Sequence, residues 1–170
     1  EKAFTEDGYF RTGDAGRMEG NTLFFTERIK DLYKTSNGKY IAPQAIEMVM
    51  SGDQYIEQIA VIGDQRKFVS ALIVPAYSLL EKYAEEKGLA VGSREELVRN
   101  KEVLRLIETH IEENQKNLAS YEKIKRFTLL SEPFTMGSEL TDTLKLRRSV
   151  ILKKYADSIE KMYEEASNPS

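Results

Sequence analysis

The sequence predicts an α+β fold in which a small antiparallel sheet is flanked by helices and preceded by a short β-hairpin. β-rich runs over 58–63 and 68–74 are joined by polar residues, which indicates an antiparallel strand pair. Apolar residues recur at helical spacing before and after this pair. With 170 residues and 41% apolar content, the chain can bury one core but not two large ones.

The first element is a predicted hairpin with strands over 15–18 and 22–26, joined by a turn at Gly20-Asn21. Two strands alone are marginally stable in water, so we expect this hairpin to be left over from a large N-terminal domain. Residues 1–27 would then be the C-terminal edge of that domain, and 28–170 a small C-terminal domain. The lack of an initiator Met favours the same interpretation.

The remaining elements are each marked by a turn residue, a helix cap or a repeating apolar pattern. In order they are a hairpin tip at Gly38, a helix from Pro43 to Gly52 with apolar Ala45, Ile46, Val49 and Met50, the strand pair, helices over 77–87 and 93–118, a strand over 124–130 and a helix over 150–162. A capping box from Ser93 to Glu96 begins the second middle helix, which we interpret as a long helical insert.

Composition argues against several kinds of function. The net charge is −3 and no run of Lys and Arg stands out, so nucleic acid is not an expected partner. The chain has no cysteine, and its one histidine, His110, lies among acidic residues without a metal-ligand set. No stretch approaches the roughly 20 apolar residues of a membrane span. We therefore expect no transmembrane segment, no metal bound by this chain and a cytoplasmic location.

Three stretches carry the candidate chemistry: DGYFRTGD at 7–14, ERIKDLYKTSNGKYIAP at 27–43 and LTDTLKLRR at 140–148. Together and in this order they resemble the end of the large domain, the hinge and the small C-terminal domain of AMP-forming acyl-CoA synthetases. The resemblance is closest to the long-chain fatty acid CoA ligases, and the helical insert points to the same branch.

The resemblance implies a two-step ligase. A fatty acid and ATP give an acyl-adenylate and pyrophosphate, and the CoA thiol then displaces AMP to give acyl-CoA. ATP and CoA enter as substrates, and Mg²⁺ would be bound by the missing N-terminal domain, which is the expected partner of this chain. The fragment alone is expected to be inactive, and the full-length enzyme is a candidate for peripheral contact with membranes.

Lys145 matches the catalytic lysine of the family. Its point charge would neutralise the carboxylate and phosphate oxygens that approach each other during adenylation. Asp142 stands where long-chain members usually carry proline. The alternative interpretation, without the resemblance, makes Lys145, Arg147 and Arg148 a solvated basic start of a helix.

The resemblance assigns the other site residues to three roles. These are binding of ATP or AMP by Asp14 and Arg28, the hinge at Lys30 or its neighbour Asp31, and a CoA-facing loop with Lys34, Asn37 and Gly38. Two other functions stay open. The chain could be a non-catalytic interaction module that uses this domain, or part of an acyl-adenylating ligase that loads a carrier protein instead of CoA.

Overall fold

The computed structural model describes residues 31–165 in full, together with the backbone of two strands at 14–19 and 22–28. Seven strands and six helices lie within these residues. In chain order they are β1 (Asp14–Glu19), β2 (Thr22–Arg28), β3 (Tyr33–Lys34), β4 (Tyr40–Ile41), α1 (Pro43–Met50), β5 (Ile56–Ile62), β6 (Val69–Pro75), α2 (Tyr77–Glu86), α3 (Arg94–Leu97), α4 (Lys101–Asn114), β7 (Ile124–Leu129), α5 (Arg148–Lys154) and α6 (Ala156–Glu164).

β1 and β2 form the predicted antiparallel hairpin, and both strands are longer than the sequence pattern indicated. Their register runs from Asp14 opposite Arg28 at the open end to Glu19 opposite Thr22. The predicted turn at Gly20-Asn21 lies outside the described residues. Among the described strands, β1 and β2 pair only with each other, and their assignment to a larger upstream domain stays a prediction.

The central sheet has the strand order β5-β6-β7. The predicted antiparallel pairing of β5 with β6 is confirmed, and so is the α+β class. β7 differs from the expectation because it pairs parallel to β6, so this sheet is mixed. A parallel neighbour needs a crossover of a dozen or more residues, and the segment that carries α2, α3 and α4 supplies one.

The core surrounds β6, whose residues Val69–Pro75 are all buried, as expected for a middle strand covered on both faces. The helices contribute buried apolar residues to the same core, which are Ile46 and Met50 of α1, Leu80 of α2, Val103, Ile107 and Ile111 of α4, Ile151 of α5, and Ile159 and Met162 of α6. Two members of the predicted apolar pattern of α1, Ala45 and Val49, are exposed instead.

Two predicted helices are each divided in two. The insert contains the one-turn α3 and then α4, because Asn100 caps α4 by accepting from the amides of Glu102 and Val103 at 2.9 and 3.4 Å. The final helix is interrupted at Tyr155, between α5 and α6. The first break is caused by the side chain of Asn100, and the second coincides with the non-helical backbone angles of Tyr155.

His110 of α4 contacts Asp53 in the connection between α1 and β5. Its Nδ1 lies 2.7 Å from Asp53 Oδ2, which also accepts from Asn114 Nδ2 at 2.9 Å. The other oxygen of Asp53 accepts from the amide of Tyr55 at 2.8 Å. His110 therefore has a structural partner. Within the described residues, no group of three or more His, Cys, Asp and Glu could hold a metal ion, and no helix is long and apolar enough to cross a membrane.

Candidate functional site

Lys145 lies on a tight hairpin, residues 140–146, which we call the Lys145 hairpin. Leu140 and Leu146 form an antiparallel bridge at its base. Above the base, the amide of Thr141 donates to the carbonyl of Lys145 at 2.8 Å, and the amide of Leu144 donates to the carbonyl of Thr141 at 2.9 Å. The hydroxyl of Thr141 accepts from the amide of Lys145 at 3.1 Å. One threonine thus closes the turn that presents the predicted catalytic lysine.

Leu144 adopts a left-handed backbone conformation, with φ of 61°, immediately before Lys145. A non-glycine residue pays a conformational cost of about 1 kcal/mol in this region, and its side chain is 65% exposed, so burial does not compensate. Asp142 occupies the second position of the turn, where proline is favoured. Asp142 therefore stands at the position of this turn where the family resemblance leads us to expect a proline.

The ammonium group of Lys145 is free to meet a ligand. The residue is exposed, and no carboxylate in the described part of the chain forms an ion pair with it. The charge is therefore not neutralised within the domain. Such a group suits the neutralisation of carboxylate and phosphate oxygens that the family resemblance implies for Lys145.

Glu139, just before the Lys145 hairpin, is fully buried. It forms an ion pair with Lys154, and it accepts from Tyr155 Oη at 3.0 Å and from the amide of Thr135 at 3.1 Å. Burial alone raises the pKa of this carboxyl, but the bonds from Lys154 and Thr135 outweigh burial and lower the pKa to about 2. No sequence pattern pointed to this residue, because a lone glutamate in a turn is usually solvated.

Arg148, just after the hairpin, forms an ion pair with α1. Its guanidinium donates to both oxygens of Glu47 of α1, at 2.7 and 3.0 Å, and lies 5.6 Å from the centre of the Tyr33 ring. Burial lowers the pKa of Arg148, but the bonds to Glu47 outweigh this and raise it above its usual value. The interpretation of the basic run as a solvated helix start is therefore wrong for Arg148.

The predicted CoA-facing loop is a second tight hairpin, residues 33–41, which we call the Gly38 hairpin. The amide of Thr35 donates to the carbonyl of Lys39, and the amide of Gly38 donates to the carbonyl of Thr35, both at 2.9 Å. Thr35 Oγ1 accepts from the amide of Lys39 at 3.2 Å. These three bonds repeat those of the Lys145 hairpin, with Gly38 at the left-handed position that Leu144 occupies there.

The Gly38 hairpin is fixed to the turn between β5 and β6, residues 63–68. The amide of Lys34 donates to Asp64 Oδ1 at 3.2 Å, and the amide of Gln65 donates back to the carbonyl of Lys34 at 2.9 Å. Asn37 donates from its side chain to the carbonyl of Lys67 at 3.4 Å. The Asn37 amide thus supports the loop, while the backbone at Gly38 stays open.

Cation–aromatic pairs flank the tip of the Gly38 hairpin. Lys34 Nζ lies 5.6 Å from the ring centre of Tyr40, and Lys39 Nζ lies 5.5 Å from that of Tyr121. Tyr121 comes from the connection between α4 and β7, so the segment that follows the helical insert reaches the predicted CoA-facing loop. Both rings are exposed, at 60% for Tyr40 and 42% for Tyr121.

The predicted nucleotide and hinge residues come early in the sequence, before or at the start of the fully described region. Asp14 and Arg28 are register partners at the open end of the β1–β2 hairpin, which places their backbones side by side. Lys30 lies outside the described residues. Asp31 is half-buried at the start of the fully described region. The roles of all four residues stay predictions.

Replacing Gly38 with alanine is expected to destabilise the chain by about 1 kcal/mol, because φ at this position is +79°. No atom lies within 4 Å of the added Cβ, so the cost is conformational and not steric. Gly52→Ala is the matched control, since that site is equally open and has no positive φ. Urea unfolding should show a loss for Gly38→Ala only, and an equal response of both variants would contradict the strain argument.

The buried carboxylate of Glu139 should make stability depend on acid pH. Its pKa is about 2 in the folded chain, against 4.5 for an ordinary glutamate, so its contribution is complete above pH 4.5 and lost as the pH falls towards 2. The difference in unfolding free energy between the wild type and Glu139→Gln should therefore shrink over that window, measured by urea unfolding. Glu113→Gln, at an exposed pair with Lys116, is the control. A difference that does not vary with pH would contradict the assignment.

Known proteins share both the sequence and the fold of this domain. Residues 30–167 match the family model for the AMP-binding enzyme C-terminal domain. The chain is 34% identical over 169 residues to long-chain-fatty-acid–CoA ligase 5 of Mus musculus, covering 96% of this chain and 25% of the relative. It is 32% identical over 165 residues to long-chain-fatty-acid–CoA ligase FadD15 of Mycobacterium tuberculosis, covering 95% and 27%.

A solved structure with the same fold is the adenylation domain of a carboxylate reductase from Mycobacterium chelonae, with a TM-score of 0.73 and 29% identity over 95% of this chain and 24% of that one. The corresponding domain from Segniliparus rugosus, in complex with AMP and a co-purified carboxylic acid, gives a TM-score of 0.72 and 25% identity over 96% and 24%. The chain spans about a quarter of the length of the relatives that it matches.

Proposed function

The chain belongs to the family of AMP-binding enzyme C-terminal domains, and from that membership we propose that it is the small domain of a long-chain fatty acid CoA ligase. The full-length enzyme would join a fatty acid to ATP, release pyrophosphate, and then transfer the acyl group from the adenylate to CoA with loss of AMP. The observation that carries the proposal is the exposed Lys145, which has no ion-pair partner in the described part of the chain and lies in a hairpin built to present it.

In the first step, Lys145 would approach the carboxylate and the α-phosphate and neutralise the charge that develops between them. Asp14 and Arg28 would bind the nucleotide, a proposal supported by their adjacent places at the open end of one hairpin. A carboxylate suits the two hydroxyls of a ribose, and a guanidinium suits phosphate. The described residues offer no set of ligands for Mg²⁺, so no step of this chain is assigned to a metal.

In the second step, the small domain would turn at Lys30 or Asp31 and bring the Gly38 hairpin to the active site. The bonds from this hairpin to Asp64, Gln65 and Lys67 support the proposal, because they give the loop a fixed shape before CoA arrives. Lys34 would face the phosphates or pantetheine of CoA, and the open backbone at Gly38 would allow close approach. The cytoplasmic location and peripheral membrane contact stay predictions.

A ligase that loads a carrier protein is the second candidate. The similarity to adenylation domains of carboxylate reductases, one of them an A-PCP didomain, favours it. Both candidates share the adenylation step and differ in the thiol that accepts the acyl group. The two candidates can therefore be distinguished by identifying the thiol to which the acyl group is transferred.

The test uses the full-length protein with palmitate and ATP. Release of pyrophosphate only in the presence of palmitate would establish adenylation, and formation of palmitoyl-CoA after addition of CoA would establish the ligase. Adenylation with transfer to a phosphopantetheinylated carrier protein, and none to CoA, would favour the second candidate. If no adenylate forms from palmitate or from shorter and aromatic acids, the chain is an interaction module and the proposal fails.

A further inference from the structure

A charged side chain without a role in the proposed chemistry lies under the Lys145 hairpin. Glu139 has no solvent exposure and is the one charged residue that is buried among those described. Removing a carboxylate from water is costly, and an apolar residue of similar volume would often serve stability as well. Its position therefore calls for an explanation beyond packing.

The carboxylate of Glu139 connects the hairpin to the last two helices. It pairs with Lys154 at the end of α5 and accepts from Tyr155 Oη at 3.0 Å. Tyr155 is the residue at which α5 gives way to α6. Since Thr135 also donates to the same carboxylate, the segment before the hairpin is bonded to the helices from inside the domain.

The backbone of Glu139 closes the base of the same hairpin. Its carbonyl accepts from the amide of Arg147 at 2.7 Å, and the Arg147 guanidinium donates to the carbonyls of Gly137 and Ser138 at 3.2 and 3.1 Å. A shift of Glu139 would therefore move both strands that carry Lys145. The left-handed Leu144 at the tip persists only while its surroundings hold it.

We infer that Glu139 is a positioning residue for Lys145, which sets the direction in which the hairpin projects the lysine into the active site during adenylation. This inference rests on the proposed function. Glu139 contacts the hairpin base and not the Gly38 hairpin, so its effect is confined to the first step. Because a misplacement of about 1 Å is enough to cost about 100-fold in rate, a small rotation of the hairpin base would be measurable.

The ion pair between Glu139 and Lys154 predicts an order of adenylation rates among the variants. Glu139→Gln keeps the size of the side chain and one acceptor oxygen, which can serve either Thr135 or Tyr155, whose bonds now go to different carboxylate oxygens, and it loses the ion pair. Lys154→Met leaves a buried carboxylate without its cation, which is the more damaging change. The double variant Glu139→Gln/Lys154→Met removes both charges and should adenylate faster than Lys154→Met alone.

The test measures the two half-reactions separately in the full-length enzyme, at a temperature below the onset of unfolding of every variant. We expect Glu139→Gln to lower kcat for adenylation about 10- to 100-fold, with KM for ATP and the conversion of supplied acyl-adenylate and CoA changed by less than about threefold. Glu113→Gln, which removes one carboxylate from an exposed pair on α4, should match the wild type in both assays.

Three results would overturn the inference: normal adenylation by Glu139→Gln, equal losses in both half-reactions, or a double variant no faster than Lys154→Met. Equal losses would mean that Glu139 only stabilises the fold. Failure of the wild type to form any acyl-adenylate is a different result, because it would overturn the proposed function itself. A selective loss in the first half-reaction, with recovery in the double variant, would establish the positioning role.

Discussion

Replacing Lys145 with alanine in the full-length enzyme is expected to lower the rate of acyl-adenylate formation roughly 10²- to 10³-fold. The ammonium group is exposed and has no ion-pair partner in the described part of the chain, so its loss would remove charge from the proposed active site without breaking an ion pair. The fold should be unaffected. The measurement is pyrophosphate release from palmitate and ATP in a single turnover.

The second half-reaction provides the internal control for this variant. Supplied acyl-adenylate and CoA should be converted to thioester at close to the wild-type rate, since the Gly38 hairpin and not the Lys145 hairpin would face the site in that step. Lys153→Ala, which removes another exposed lysine from α5, should leave both rates unchanged. Full adenylation by Lys145→Ala would mean that the lysine is only a solvated charge, and the catalytic assignment would be withdrawn.

Much of the fold follows from local signals. Pro43 begins α1, and the β-rich runs form β5 and β6 within about two residues of their predicted bounds, because caps and β-branched runs act over a few residues. Local signals could not predict that β7 pairs parallel to β6. Whether a strand pairs parallel or antiparallel depends on the path of the long connection before it, which no local pattern encodes.

For the candidate site, too, residues in motifs could be predicted from the sequence, whereas contacts between distant residues could not. The family resemblance singled out Lys145 and Gly38 through the motifs at 140–148 and 27–43, and their roles stay predictions. The ion pairs that support these hairpins could not be predicted from local patterns. Arg148 pairs with Glu47, which is far away in the sequence, and Glu139 pairs with Lys154 although neither residue stands in a distinctive motif. The shared turn geometry was also hidden, because Leu144 replaces the glycine that would have indicated a left-handed residue.

Arg148 differs from Glu139 in that its contacts reach both hairpins. The residue follows the Lys145 hairpin directly, pairs with Glu47, and places its guanidinium against the ring of Tyr33 in the Gly38 hairpin. Glu47 in turn accepts from the amide of Val61 at 2.9 Å, at the edge of β5. One ion pair therefore joins α1, the central sheet and the segments proposed to serve the two steps.

Arg148→Met is expected to destabilise the chain by about 3 kcal/mol, because it leaves the carboxylate of Glu47, with a side chain only 13% exposed, without its cation. Arg105→Met is the matched control, since its pair with Glu102 is exposed on both sides and should be worth under about 0.5 kcal/mol. Urea unfolding measures both. In the full-length enzyme, Arg148→Met should also slow both half-reactions, whereas Glu139→Gln slows only adenylation. A stability loss as small as that of Arg105→Met would show that the Glu47 pair is dispensable, and a defect in adenylation alone would show that Arg148 does not support the Gly38 hairpin.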